Sequence, residues 1–304
     1  MKLEGIHHIT AITGDAPRNV DFYAGTMGLR LVKKTVNQDD PTVYHLFYAD
    51  ENGSPGSDLT FFEYPGAEKG RAGSGMVHRI VFRIPSLEAL SFWKQRLSSQ
   101  GIDPRSGDDY LRFHDFEGLE LELRVVDTND APLRADHPEV PTEFAIMGFD
   151  GVRAYTADAD RSKALLTATL GFEPASDTEW SARGDQRGSF YSYDEPPSKG
   201  GLGGAGTVHH VAWACAIEEH EAWRERVAAS GMDVTPVIDR FYFRSIYFRE
   251  PSGVLFEIAT MGPGFTADEP RESLGQALSL PPKFEALRDR LEKALTPLPN
   301  PRGH

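Results

Sequence analysis

The stretch Gly206-Thr207-Val208-His209-His210-Val211-Ala212-Trp213 places two adjacent histidines on a short apolar run entered through a glycine-rich approach. The same pair occurs again almost at the N-terminus, in Gly5-Ile6-His7-His8-Ile9-Thr10. A third stretch, Gly75-Met76-Val77-His78-Arg79-Ile80-Val81-Phe82, has the same layout with Arg79 in place of the second histidine. All three read as buried strands, rich in β-branched and aromatic residues and preceded by glycine.

Each stretch opens a similar succession of elements. After His7-His8, Asp15 and Pro17 start a helix, Val20, Phe22, Tyr23 and Met27 follow at helical spacing, and Gly28 ends it. Strand-like runs at 30–35, 44–49 and 59–64 come next, separated by turns of Gly, Asn, Pro and Asp. The second unit has a strand at 77–84, a helix at 86–100 ended by Gly101, and a hairpin across Glu117-Gly118. A polar linker at 127–141 precedes a third strand start at 151–156, with a helix at 160–170 ended by Gly171. The fourth unit starts at Val208, with a helix at 218–230 ended by Gly231 and a hairpin across Pro251-Ser252-Gly253. An internal period of roughly 55–75 residues decides the fold ahead of any single element. The expected class is α+β: four βαβββ modules paired into two domains, each a curved mixed β-sheet cup with helices outside. Chain order suggests modules 1 and 2 over 1–130, modules 3 and 4 over 145–262, and a tail at 263–304 with one helix near 282–295.

Aligning the four modules separates the histidines. His7 and His209 have a counterpart in His78, whereas His8 and His210 face Arg79 in module 2 and Gly151 or Val152 in module 3. Alternation along a strand predicts that the two members of each pair point to opposite faces. The last strands align too: Glu257 and Glu122 each follow their turn glycine by the same interval. Glu257 lies in an apolar run and asks for a cation, since buried carboxylates are rarely left unpaired. Glu122 reads as a carboxylate on a solvated face. His8, His210 and Glu257 make a two-histidine, one-carboxylate set that suits Fe(II) and leaves coordination positions open. A histidine on a strand is ordinarily a core residue; the shared register of two distant units is what favours a metal.

Composition narrows the classes. With 39% hydrophobic and 26% charged residues, the 304-residue chain is that of a globular protein. A net charge of −14 disfavours nucleic acid, which needs clustered Lys and Arg. There is no membrane-length apolar run or signal-peptide pattern, and one cysteine, Cys215, precludes an internal disulfide. A cytoplasmic setting is expected.

The modules resemble the vicinal oxygen chelate superfamily of glyoxalases, bleomycin-resistance proteins and extradiol dioxygenases. Within it the chain most resembles the ring-cleaving hydroquinone dioxygenases. The matching segments are His7-His8-Ile9-Thr10, Tyr44-His45-Leu46, Gly53-Ser54-Pro55-Gly56, Gly70-Arg71, His209-His210, Tyr247-Phe248-Arg249, Gly253-Val254-Leu255-Phe256-Glu257 and Gly264 to Glu269. The resemblance implies Fe(II), or Mn(II) or another divalent metal, on His8, His210 and Glu257. It also implies a small aromatic substrate with O₂, and a homo-oligomer is compatible with it. Pocket residues carried over by motif are His7, Thr10, His209, Arg240 and Tyr247. His209 or His7 would shuttle protons, Tyr247 would hydrogen-bond bound oxygen, and Arg240 would stabilise negative charge. The family can carry a glycine after that arginine; here it is Phe241. Glyoxalases take a fourth ligand from the last strand of their first module. Glu63 lies there, but counting from Gly56 selects Thr60 instead, and Glu63 is expected to point outward. The rival functions are a glyoxalase-like metal-dependent isomerase or transferase, and a non-catalytic small-molecule binding protein.

Overall fold

A computed structural model describes residues 1–300. Four modules follow one another. The first holds β1 (Ile6–Thr13), β2 (Arg30–Val36), β3 (Tyr44–Ala49) and β4 (Asp58–Glu63). The second holds β5 (Val77–Ile84), β6 (Arg105–Ser106), β7 (Tyr110–His114) and β8 (Glu120–Val125). The third holds β9 (Phe149–Tyr155), β10 (Glu173–Pro174), β11 (Glu179–Arg183) and β12 (Gly188–Asp194). The fourth holds β13 (Val208–Cys215), β14 (Ile238–Asp239), β15 (Arg244–Arg249) and β16 (Leu255–Thr260). In each, a helix follows the first strand: α1 (Ala16–Val20), α2 (Leu87–Ser99), α3 (Asp160–Ala164) and α4 (His220–Ala229).

The helix limits follow the local signals. Asp15 caps α1 by accepting from the Arg18 amide at 3.1 Å, and Ser86 caps α2 through the Ala89 amide at 3.2 Å. Gly28, Gly101, Gly171 and Gly231 take left-handed φ angles of 67°, 75°, 74° and 86° just past the helices, a region open to glycine at little cost. Helices α1 and α3 widen into π turns, in which Met27 N–H bonds the Phe22 carbonyl and Leu170 N–H the Leu165 carbonyl, both at 2.9 Å.

The strands form two eight-stranded mixed sheets, ordered β14-β15-β16-β13-β1-β4-β3-β2 and β10-β11-β12-β9-β5-β8-β7-β6. Module 1 thus joins module 4, and module 2 joins module 3. The division by chain order, 1–130 against 145–262, is therefore not the division of the sheets. Each sheet is seamed at its centre by the first strands of its two modules, β1 with β13 and β5 with β9, which run antiparallel. A repeat period reports what each module is, but not which module its edge strand will meet.

The seams carry bulges. Ile6 and His8 pair with the consecutive residues Trp213 and Ala212, so His7 is an extra residue; Thr10 and Ala11 pair with His210 and Val208, so His209 is another. The second sheet repeats this at His78 and Asp150. A bulge re-aims the inserted side chain. Accordingly His7 and His8 both contact the Phe243 ring, with centroids 5.1 and 5.0 Å away. The expectation of opposite faces fails because alternation stops at the extra residue.

One face of the first sheet packs on helices, as Phe61 against Tyr23 shows (4.6 Å between centroids). The other face is lined by Phe47, Ala212, Tyr242, Phe243, Ala259 and Phe265. The tail closes over it. Buried Lys33 of β2 donates to the Phe265 carbonyl (3.2 Å) and to Asp268 (2.7 Å), and also pairs with Glu269. The tail ends in a 3₁₀ turn (Pro282–Leu287) leading into α5 (Arg288–Ala294), where an amphipathic helix was expected.

Candidate metal centre

His8 on β1, His210 on β13 and Glu257 on β16 meet at the middle of the first sheet. Glu257 Oε2 lies 3.2 Å from His8 Nε2 and 2.9 Å from His210 Nε2, and the two nitrogens are 3.3 Å apart. Among the described residues this is the one His/Cys/Asp/Glu cluster with a metal-binding layout, and all three side chains are buried. Three donors of a coordination shell with bonds of about 2.1 Å are separated by roughly 3.0–3.4 Å. The observed triangle has that size. Glu257 Oε2 makes no hydrogen bond although it is fully buried, whereas Ser245 supplies a 2.5 Å bond to Oε1. Burial alone would raise its pKa, but the facing His8 and His210 hold the carboxyl well below the usual range. Burial keeps the His210 imidazole below its ordinary value. A carboxylate with an orphaned oxygen beside two imidazole nitrogens fits a divalent cation.

The bulged histidines fix the ligand rings. His7 Nε2 is 3.1 Å from the Thr260 carbonyl, which only accepts, so this nitrogen carries the hydrogen. Burial, and secondarily the charge of His8, lower the His7 pKa to about 3, leaving Nδ1 an acceptor. His8 Nδ1, 2.9 Å away, therefore donates, and its Nε2 lone pair is turned towards Glu257. His209 repeats the contact, with its Nδ1 2.7 Å from His210 Nδ1, but it lies exposed where His7 is buried.

A cavity of about 180 Å³ opens over the triad, lined by Thr10, His45, Phe62, His209, Arg240 and Tyr247 among others. Tyr247 packs edge-on to the His210 ring at 5.7 Å. Its hydroxyl accepts from Arg240 Nε at 3.3 Å, and Arg240 Nη1 bonds both oxygens of exposed Asp39 at 3.2 Å. Burial pushes the Tyr247 phenol up, so it stays protonated. After Arg240, Phe241 adopts a φ of 73°, a conformation that favours glycine; it is the described non-glycine residue with positive φ. A larger cavity, about 380 Å³, lies elsewhere, between β2 and the tail at Arg30, Lys34 and Gln276.

The sequence-selected residues His7, Thr10, His209, Arg240 and Tyr247 thus all stand at the triad or its cavity. Glu63 does not. It points to the helix side and accepts from the Ala16 amide at 3.1 Å, capping α1. The strand register puts Thr60 at the position of Glu257, since Thr10 pairs with Thr60 as Ala212 pairs with Glu257. His45 was not selected, though it lies in the quoted segment Tyr44-His45-Leu46; a lone histidine on an amphipathic strand carries no signal of its own.

The curled sheets and a two-histidine, one-carboxylate centre define a class of metal-centre folds. The chain belongs to the Glyoxalase/Bleomycin resistance protein/Dioxygenase superfamily, which matches residues 5–114 and 148–258. It is 39% identical to the "Putative ring-cleaving dioxygenase MhqA" of Bacillus subtilis, over 98% of this chain and all of that one. It is 32% identical to the chlorohydroquinone/hydroquinone 1,2-dioxygenase of Sphingobium indicum, over 97% of this chain and 96% of that one. A crystal structure of a Bacillus subtilis protein of similar description superposes with a TM-score of 0.92 at 39% identity, covering 98% of each chain. Full-length likeness to ring-cleaving dioxygenases makes this chain an enzyme of that group. Maize glyoxalase I shares the fold at 14% identity and a TM-score of 0.60. No helix among the described residues is long and apolar enough to cross a membrane.

Proposed function

We propose that the protein is an Fe(II)-dependent, extradiol-type dioxygenase that cleaves the ring of a hydroquinone or related dihydroxy-aromatic. The observation that carries the reading is the triad: three donors close one side of a metal position, and its other side faces a cavity lined by aromatic rings. His8, His210 and Glu257 would hold the ion, which when bound supplies acidity to a coordinated phenol and electrons to O₂.

The remaining steps belong to side chains. A phenol entering the cavity must lose its proton; His209, whose Nδ1 accepts from His210, carries its own hydrogen on Nε2 when neutral and would donate it to the phenolate oxygen that results. His7, sealed by the Thr260 carbonyl, holds His8 in its ligand tautomer and moves no proton. Tyr247, still protonated and tied to Arg240, offers a donor beside His210, and the Arg240 guanidinium stabilises negative charge that develops on oxygen. Phe62 and Phe243 bound the cavity with apolar surface and limit water. The Sphingobium indicum relative, named for chlorohydroquinone and hydroquinone, supports the substrate class.

A metal-dependent isomerase of the glyoxalase kind would draw a fourth ligand from the first module. Glu63 caps a helix instead, and Thr60 offers a hydroxyl. The test is metal analysis after anaerobic purification, with oxygen uptake on hydroquinone, methylhydroquinone and chlorohydroquinone. Stoichiometric oxygen consumption with loss of the aromatic absorbance is expected from the iron-loaded protein. Iron-loaded protein that consumes no oxygen with any of these rings, or with catechol, overturns the reading.

A further inference from the structure

We propose that His45 holds the substrate hydroxyl that lies away from the metal, with Thr60 and Thr10 setting the orientation of its ring. The inference rests on the dioxygenase reading above and names the feature of the substrate that the cavity selects.

The starting point is the position related by register to Glu257. Thr60 sits there, buried, and its Oγ1 lies 2.8 Å from Thr10 Oγ1 and 2.9 Å from His45 Nε2. The slot that could complete a ligand set is instead the middle of a hydrogen-bonded chain from β1 through β4 to β3. His45 ends that chain at the cavity wall. Its ring is wedged between Phe47 and Phe62, with centroids 4.0 and 4.4 Å away, so its plane is fixed. Burial foremost, then the charges of His8, His210 and Arg240, hold its pKa well below the ordinary value. A neutral ring that accepts from Thr60 O–H at Nε2 carries its hydrogen on Nδ1. No described protein group hydrogen-bonds that Nδ1, and the half-buried ring opens on the cavity.

Of the other polar groups of the cavity, Tyr247 keeps a free O–H beside the metal ligand His210, and Thr35 Oγ1, cross-strand from His45, is buried without a partner. Thr10 is bound to Thr60, Arg240 to Tyr247 and Asp39, and His209 backs His210. His45 is also at the right remove. In the order β13-β1-β4-β3 it lies two strands from the His8 strand, about 10 Å at the usual spacing. A hydroquinone whose first oxygen is at the triad carries its second on the far side of the ring, towards that distance. A catechol keeps both oxygens near the triad. His45 thus favours the para-diol over the ortho-diol and over a simple phenol.

The experiment is a binding cycle under anaerobic conditions on the iron-loaded protein, using hydroquinone and phenol, which differ by the hydroxyl in question. One hydrogen bond of about 1–1.5 kcal/mol makes the wild-type preference for hydroquinone about tenfold. His45→Phe keeps the aromatic stack and removes both nitrogens; the preference should fall below about twofold while phenol affinity hardly changes. Thr60→Val leaves the ring but frees its tautomer and should reduce the preference partway. In turnover, H45F should raise KM for hydroquinone and leave that for catechol unchanged. A tenfold preference that survives in H45F, or an equal loss for both ligands, overturns the inference and leaves the dioxygenase intact. An unchanged preference in T60V overturns the relay. Failure of wild-type protein to bind either ring and to consume oxygen would instead sink the dioxygenase reading and this inference with it.

Discussion

The two sheets of this molecule share a backbone plan but hold different charges at the same place. In the first, Glu257 faces His8 and His210 across the seam. In the second, Glu122 occupies the equivalent register, opposite Val81 as Glu257 is opposite Ala212, and it too is fully buried. There the ligand positions are Arg79 and Gly151. Arg79 Nη1 at 3.3 Å and Arg112 Nε at 2.6 Å satisfy one carboxylate oxygen, and Arg124 pairs with the other. The expectation of a solvated Glu122 was wrong because three guanidiniums pack over it. His78 keeps the bulged place of His7 and His209, yet stacks on Tyr155 at 3.8 Å and bonds Asp194 at 2.8 Å. The lesson is electrostatic: the plan buries a carboxylate at mid-sheet, and the carboxylate must meet positive charge. Tethered arginines fill one site; imidazoles leave room for an ion in the other.

The comparison breaks most sharply at the glutamates. Glu257→Gln should lose bound metal and bring oxygen consumption down to background, as measured by metal analysis and an oxygen electrode. Glu122→Gln should leave both untouched. Equal metal loss in the two variants would erase the distinction. For stability the order reverses: Glu122→Leu leaves three guanidiniums without their carboxylate. Breaking a buried pair costs about 3–5 kcal/mol, which chemical denaturation would register as a lower midpoint at unchanged metal content.

Much of this was open to inspection in the residues. The four modules were legible because each repeats a strand followed by a helix that a glycine ends, His8 and His210 because they break the alignment with modules 2 and 3, and Glu257 because it interrupts an apolar run. The pairing of module 1 with module 4 was not, since it depends on strand edges meeting across the chain. Neither were the bulges: an inserted residue has no compositional mark, and only the paired registers reveal that His7 sits on the same face as His8. Glu63 and Glu257 are both carboxylates in last strands; only the neighbouring α1 amide shows that Glu63 is a cap.

A smaller effect sharpens the comparison at the bulged histidines. His7→Phe removes the acceptor that fixes the His8 tautomer and should weaken metal binding by about 10–100-fold, read by competition with a chelator. His78→Phe, at the same place in the second sheet, should leave metal affinity unchanged, because its partners are Asp194 and Tyr155.

The smallest effect is the response of the arginine-filled sheet to acid. Hydrogen bonds from Arg153, outweighing burial, hold Asp194 at about 2, below its ordinary 3.8. Burial would raise Glu120, but hydrogen bonds from His78 and Arg79 hold it at about 2 against 4.5. Both are depressed in the folded state, so the unfolded chain binds more protons between the two values. The stability they contribute is fully present above about pH 4.5 and is lost as pH falls towards 2. Asp194→Asn should flatten that part of the stability–pH curve, measured by denaturant midpoints from pH 5 to 2.5. Because both carboxylates are part-exposed, added salt should shrink the difference between the curves. An Asp194→Asn curve parallel to that of the wild type would show that the second sheet is held without these ion pairs.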